Sequence, residues 1–211
     1  DTNAASRQPP AASHECSRAM ITRFLGKMFS GRFFGPAQPK IIPVSAHGID
    51  RNAISSCALR TTQTLQKSEF AAFVVGGAVR DLILGGKPKD FDIATNATPE
   101  DVRGIFRRSR IIGRRFRLVH VLCGPEMVEV PTFRGARTAE EWDDGAADEH
   151  GRILRDNVFG NQEQDATRRD FTVNALFYDP TSQQVWDYHG GVADLKQRRL
   201  RMIGDPERRY R

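Results

Sequence analysis

Cysteine is scarce. Cys16, Cys57 and Cys123 are the three in 211 residues, and they show neither a pairing pattern nor metal-ligand spacing. Their scatter reads against a disulfide framework and against a zinc site, and it fits a reducing compartment. No apolar run approaches the roughly 18–20 residues that a bilayer-crossing helix needs, so the chain is expected to be soluble or peripheral. The commonest glycine-rich phosphate signatures are missing too. There is no G-x-G-x-x-G, and Gly86-Lys87 is followed by Pro88 without the earlier glycine of a Walker loop. No internal repeat is visible, and no acidic residue occurs from Ser17 to Ile49.

The composition that remains, 39% hydrophobic and 27% charged, suits a soluble globular protein with one full core. A formal net charge of +6 points to a polyanionic partner, either nucleic acid or an anionic membrane, although such a charge also serves simple solubility. Residues 1–19 are small, polar and proline-containing, which predicts disorder. From Met20, Ile21, Phe24, Leu25, Met28 and Phe29 recur at helical spacing opposite Arg23 and Lys27. That segment reads either as a short helix in a floppy basic extension or as a membrane-surface or targeting element. Met20 is itself a candidate start residue. Three prolines between Gly35 and Gly48 mark a linker, so residues 1–45 are expected to be extension and 46–211 the folded domain.

Within the domain, helical patterns cover 50–69, 78–84, 99–106 and 161–169. Strand patterns cover 73–75, 91–94, 118–122, 127–133, 173–178, 185–187 and 200–203. The interleaving predicts an α/β (α+β) fold with a central mixed sheet flanked by helices. Thr98-Pro99-Glu100-Asp101 is a strong helix start, and Gly124-Pro125 marks a hairpin. Residues 135–151 lack periodicity and read as a mobile loop.

The informative stretch is FVVGGAVRDLILGGKPKDFDIAT, from Phe73 to Thr95. Residues two apart on a strand share a face, roughly 6–7 Å apart at the backbone, so Asp90 and Asp92 aim together while Phe91 turns to the core. Two unit charges about 4 Å apart cost about 1 kcal/mol in water and about 4 kcal/mol at an effective dielectric of about 20. A divalent cation between them converts that repulsion into binding, and two ions about 3.5–4 Å apart serve phosphoryl transfer. An isolated Asp-x-Asp is more often a pair of solvated loop charges. Gly76-Gly77, between a strand and a helix, adds backbone amides free to approach phosphates, and Arg80 adds a bidentate donor. A glycine turn kept only for packing is the plain alternative.

The blocks VGGAVRDLILG and KDFDIATNATPEDV, followed by RRDFTVNALFYD and DYHGGVADLKQRRLRMIG, resemble the class II nucleotidyltransferases. That family comprises the bacterial poly(A) polymerases and the tRNA CCA-adding enzymes. The resemblance spans roughly residues 39–211, and IIGRRFRLVHV, EVPTFRG and LRDNVFGNQEQDATRRDF look more like the poly(A) polymerase branch. It implies a nucleotidyltransferase head that adds adenylates from ATP to RNA 3′ ends with Mg²⁺ or Mn²⁺. Asp90 and Asp92 would hold metal, Asp170 would be a third catalytic acid, and Gly76, Gly77, Arg80 and Arg169 would contact nucleotide. It further implies a bacterial cytoplasmic setting, with RNA-decay machinery as a possible partner. The family continues past a sequence like GDPERRYR into base-selecting and RNA-gripping segments, so a catalytic head without neck or body is expected here.

Three assignments stay open between function and structure. Glu129 is either a third metal carboxylate or a surface hairpin residue. Arg107, Arg108, Arg110, Arg114, Arg115 and Arg117, six arginines within eleven residues, either follow RNA or the triphosphate or form a solvated helix end; Arg114, Arg115 and Arg117 are the RNA candidates. His120 and His189 are tempting bases that a metal-bound alkoxide does not need, and His120 reads as structural. The rival functions are a CCA-adding enzyme and a non-catalytic basic RNA-binding module.

Overall fold

The computed structural model describes residues 38–113, 116–135 and 159–209. The expected amphipathic helix at 20–30, the loop at 135–151 apart from its first residue, and Arg114 and Arg115 lie outside them. A compact unit begins at Pro36. Its frame is an eight-stranded sheet in the order β1-β8-β7-β2-β3-β6-β5-β4. The strands are β1 Lys40–Ile42, β2 Ala72–Val75, β3 Asp92–Thr95, β4 Ser109–Ile112, β5 Leu118–Cys123, β6 Glu126–Pro131, β7 Leu176–Asp179 and β8 Gln184–Asp187. Every neighbouring pair is antiparallel except β3 with β6, so the sheet is mixed, as expected.

Seven α-helices accompany it among the described residues: α1 Val44–His47, α2 Ser56–Lys67, α3 Gly77–Ile83, α4 Pro99–Ile105, α5 Gln162–Arg168, α6 Gly191–Lys196 and α7 Pro206–Arg209. None of them is long and apolar enough to cross a membrane. Local chemistry fixes several ends. Ser55 caps α2 by accepting from the Ala58 amide. Thr98 and Asp101 form a reciprocal capping box on α4, with Pro99 in the first turn. Asn161 and Gln164 do the same for α5.

Helix α2 buries Cys57, Ala58, Thr61, Thr62 and Leu65, of which Cys57, Ala58 and Leu65 share a core with Val74, Ile93, Val102, Val119, Val121, Val128 and Val130. A second cluster, Phe73, Val75, Ala94, Phe133, Ala166 and Phe177, unites β2, β3 and β7 with Ala166 of α5. The central strands β2 and β3 contribute to both clusters. They are therefore held from either side, and the site at their ends rests on a rigid support.

Four expectations need correction. The linker across Gly35–Gly48 contains β1, which pairs with β8 in the register Lys40↔Asp187 to Ile42↔Val185. The helix read from 50 is a short 3₁₀ turn, Arg51–Ala53, and then α2, because Asp50 caps the Asn52 amide and Ser55 opens a new start. Residues 200–203 do not form a strand: Leu200 is 67% exposed, and Met202 makes a lone bridge to Phe171. Cys57 and Cys123 are disulfide-bonded with Cα atoms 5.6 Å apart, contrary to the reading of unpaired cysteines. Folding brings the tip of β5 against α2 across 66 residues of sequence, which spacing does not reveal.

Candidate active site

Strand β2 runs apolar and buried to Val75, and the chain then turns at Gly76 with φ 72° and ψ −139°. That backbone conformation is open to glycine and strained for other residues. A Cβ on Gly76 would stand 3.5 Å from Arg169 Nη1 and 3.9 Å from Asp92 Oδ2, so the turn lies against both side chains. A Cβ on Gly77 would stand 3.5 Å from Arg80 Nη2. Helix α3, which follows, is only seven residues long, so its dipole is small. The Gly76 amide itself donates to the Leu176 carbonyl at 3.4 Å, which leaves the Arg80 and Arg169 guanidiniums as the main candidate donors.

Register explains the rest of the cluster. Asp92 opens β3, opposite Val75 on one side and Glu129 of β6 on the other. Glu129 faces His120 of β5, which in turn faces Arg110 of β4. Directly paired residues share a face, so Asp92, Glu129, His120 and Arg110 form one row away from the valine-rich core. His120 Nε2 is 3.5 Å from Glu129 Oε1, which places this histidine on the row and not in the packed interior.

Asp90 precedes β3, so strand alternation governs Asp92 alone. The charge of Asp90 nevertheless acts on Asp92. Desolvation by surrounding protein, then the charges of Glu129 and Asp90, push the Asp92 carboxyl above its usual range, and Arg169 opposes the shift. Asp92 is still an exposed residue at the strand end, as a ligand site requires. Among the described residues no group of three or more His, Cys, Asp and Glu side chains is arranged to hold a metal. Asp90 and Asp92, with Glu129 as the acidic neighbour of Asp92, stay the candidate donors.

The cationic side is tied together by Asn174, whose role sequence reasoning missed. Arg80 Nη1 donates to Asn174 Oδ1 at 2.9 Å, and Arg169 Nη1 donates to the Asn174 carbonyl at 3.3 Å. Asn174 Nδ2 donates to Asp170 Oδ1 at 3.3 Å. One residue on the 3₁₀ turn Thr172–Asn174 thus links both candidate phosphate-binding arginines to the third candidate acid. Arg169 is braced further by buried Asp165, through Nε at 3.1 Å and Nη2 at 2.9 Å, and its guanidinium lies 5.1 Å from the Phe177 ring centre. Arg80 also donates to Asp81, at 2.8 Å. Its side chain remains about one-third exposed, so a phosphate can still reach it.

Contacts therefore join Gly76, Gly77, Arg80, Asp92, Glu129, Arg169 and Asp170 around the ends of β2 and β3, and Asp90 is tied to them through its charge on Asp92. Arg117 is engaged elsewhere, in an ion pair with Glu100 of α4. Residues 72–201 match the model of the Poly A polymerase head domain. The chain belongs to that family. A poly(A) polymerase I from Escherichia coli O6:H1 is 52% identical over 176 residues, which is 82% of this chain and 38% of that protein. A CCA-adding enzyme from Lactobacillus helveticus is 41% identical over 153 residues, 72% of this chain and 36% of that one. Among solved structures, the Bacillus stearothermophilus CCA-adding enzyme in complex with CTP aligns with a TM-score of 0.57 at 35% identity, covering 73% of this chain and 34% of its own. The polymerase-family head described here thus spans well under half the length of these relatives.

Proposed function

We propose that this head domain serves template-independent transfer of AMP from ATP to RNA 3′ ends. The observation that carries the reading is the position of Asp92. Its carboxylate lies against the Gly76 turn and Arg169, and the charges of Asp90 and Glu129 crowd it. Acids gathered beside arginines and a glycine turn suit hard divalent cations and phosphates together.

In this reading Asp90 and Asp92 hold Mg²⁺ or Mn²⁺, with Glu129 as the further acidic neighbour. Bound there, the ions lower the pKa of the attacking hydroxyl and neutralise charge on the transferring phosphate. The chain's own residues supply positioning and charge. The Gly76-Gly77 turn, whose open backbone lets a phosphate approach, and the Arg80 and Arg169 guanidiniums cradle the triphosphate, Asn174 fixes both guanidiniums, and Asp170 completes the acidic side. The 3′-oxygen bonds to the α-phosphorus, the bridging α–β bond breaks, pyrophosphate leaves, and the hydroxyl proton passes to solvent. Arg114 and Arg115 remain candidates for the RNA backbone, as does Arg117 once released from Glu100.

Adenylate addition is favoured over CCA addition because the poly(A) polymerase relatives are more similar in sequence, at 52% against 41% identity. The same reading includes a cytoplasmic bacterial setting, contact with RNA-decay machinery, and peripheral membrane contact through the N-terminal segment. The test offers the full chain a labelled oligoribonucleotide and a tRNA lacking its CCA end, with each nucleoside triphosphate separately, with and without Mg²⁺. Homopolymeric adenylate tails that need Mg²⁺ are expected. Terminal C-C-A on the tRNA alone would establish the rival, and RNA binding without any extension would leave only a binding module.

A further inference from the structure

A centre that joins two substrates needs room on both sides of its acid pair. The Gly76–Arg169 cradle occupies one side of Asp92. Two residues upstream, Asp90 lines a separate cleft of about 680 Å³, bounded also by Ser55, Lys87, Lys89, Glu126 and Met127. None of Gly76, Gly77, Arg80 or Arg169 lines it. Its size lies within the range of about 300–1,000 Å³ typical of ligand clefts.

Its walls are complementary to a nucleic-acid strand. Lys87 and Lys89 are exposed and flank the cleft, and neither has an ion-pair partner among the described residues. Met127 is 47% exposed and offers an apolar surface at the foot of β6. The acid on the far wall, Glu126, is partly committed, because its Oε2 accepts the Cys57 amide at 3.3 Å. Two unpaired cations beside an apolar wall suit phosphodiesters and the face of a base, whereas a triphosphate already has its donors in the arginine cradle.

We propose that this cleft holds the acceptor RNA, with Lys87 and Lys89 on its backbone phosphates and Met127 against a base, so that the terminal hydroxyl arrives at Asp90. The assignment rests on the polymerase reading above. It is tested with the full chain carrying Lys87→Ala and Lys89→Ala together, using a fluorescent short oligoadenylate across a salt series and a fluorescent ATP analogue in parallel. At about 0.15 M salt, oligoadenylate affinity should fall by about tenfold, and the log–log salt slope should flatten by about 1.4, two phosphates at about 0.7 each. ATP affinity and KM for ATP should stay at wild-type values while KM for RNA rises. The Lys87→Arg, Lys89→Arg pair should restore both slope and KM. If the double alanine variant binds and extends RNA like wild type, the cleft assignment is wrong and the polymerase reading stands. A wild-type chain that neither binds oligoadenylate nor extends it would remove both.

Discussion

Asp194 is the charge on which the scaffold of the site depends. Its side chain is 1% exposed. It accepts from Arg199 Nε at 2.9 Å, Arg201 Nε at 2.9 Å and Thr172 Oγ1 at 2.7 Å. Thr172 begins the turn that carries Asn174, so Asp194 indirectly holds the residue that links Arg80, Arg169 and Asp170. Asp194→Asn keeps the shape, removes the charge, and turns an amide N–H toward an arginine donor. Removing one partner of a buried ion pair costs about 3–5 kcal/mol. Here the cover is shallow, because the Arg199 and Arg201 side chains are 56% and 48% exposed and can rehydrate. The expected loss is therefore about 2–3 kcal/mol at neutral pH, or about 5–10 °C in Tm.

The sign with pH follows from the same contacts. Burial alone would push the Asp194 carboxyl up, but Thr172, Arg201 and Arg199 outweigh it and hold the group below its ordinary value of 3.8. Its contribution is then complete above the unfolded value and is lost as pH falls through the folded one. Urea melts of wild type and Asp194→Asn should differ by a constant amount near neutral pH and converge below about pH 4. A difference under about 1 kcal/mol at pH 7, or one that widens on acidification, would refute the reasoning.

Gly76→Ala should cost about 1–3 kcal/mol from backbone strain alone, since its new methyl would meet only ordinary contacts at 3.5 and 3.9 Å. Thermal melts and binding of a fluorescent ATP analogue should both weaken, and unchanged values would contradict the strained-turn assignment. His47 Nδ1 accepts the Ile49 amide at 3.0 Å, so Nε2 carries the proton to the Gln183 carbonyl at 3.1 Å. Burial lowers its pKa from 6.5, and stability should therefore decline as pH falls below about 6.5, a slope that His47→Asn should lack. The Cys57–Cys123 bond spans 66 residues of sequence, so reduction should lower stability by up to about 4 kcal/mol. Urea melts with and without reductant decide that, and coincident curves would show that the bond contributes nothing.

Local chemistry was readable in the sequence wherever it was self-contained. The α4 start needs only Thr98, Pro99 and Asp101, and all three behave as expected. The Gly76-Gly77 turn was legible because glycine carries meaning at short range, whereas the strand alternation expected to align Asp90 with Asp92 does not hold, since β3 begins only at Asp92. Three-residue β1 was not, since prolines surround it and its partner β8 lies almost 150 residues downstream. Arg108 and Arg110 disguised β4, whose buried Ser109 and apolar Ile111 are too few to make a pattern. Helix α6 hid behind Gly190-Gly191, which looked like a turn. Asp187 makes it a helix start by accepting four successive amides, from His189 to Val192, at 2.7–3.2 Å. Asn174 escaped for a related reason: its meaning lies in side chains that only the assembled sheet brings to it.

The central claim is that Asp90 and Asp92 bind divalent cations beside the glycine cradle. Mn²⁺ titration followed by electron paramagnetic resonance, with a non-hydrolysable ATP analogue present, tests it directly on the full chain. Wild type should take up Mn²⁺ with an affinity that falls on acidification through a value above 3.8, because the Asp92 carboxyl is raised. Asp92→Asn should lose that uptake while its melting curve remains cooperative. Equal Mn²⁺ binding by wild type and Asp92→Asn would contradict the account.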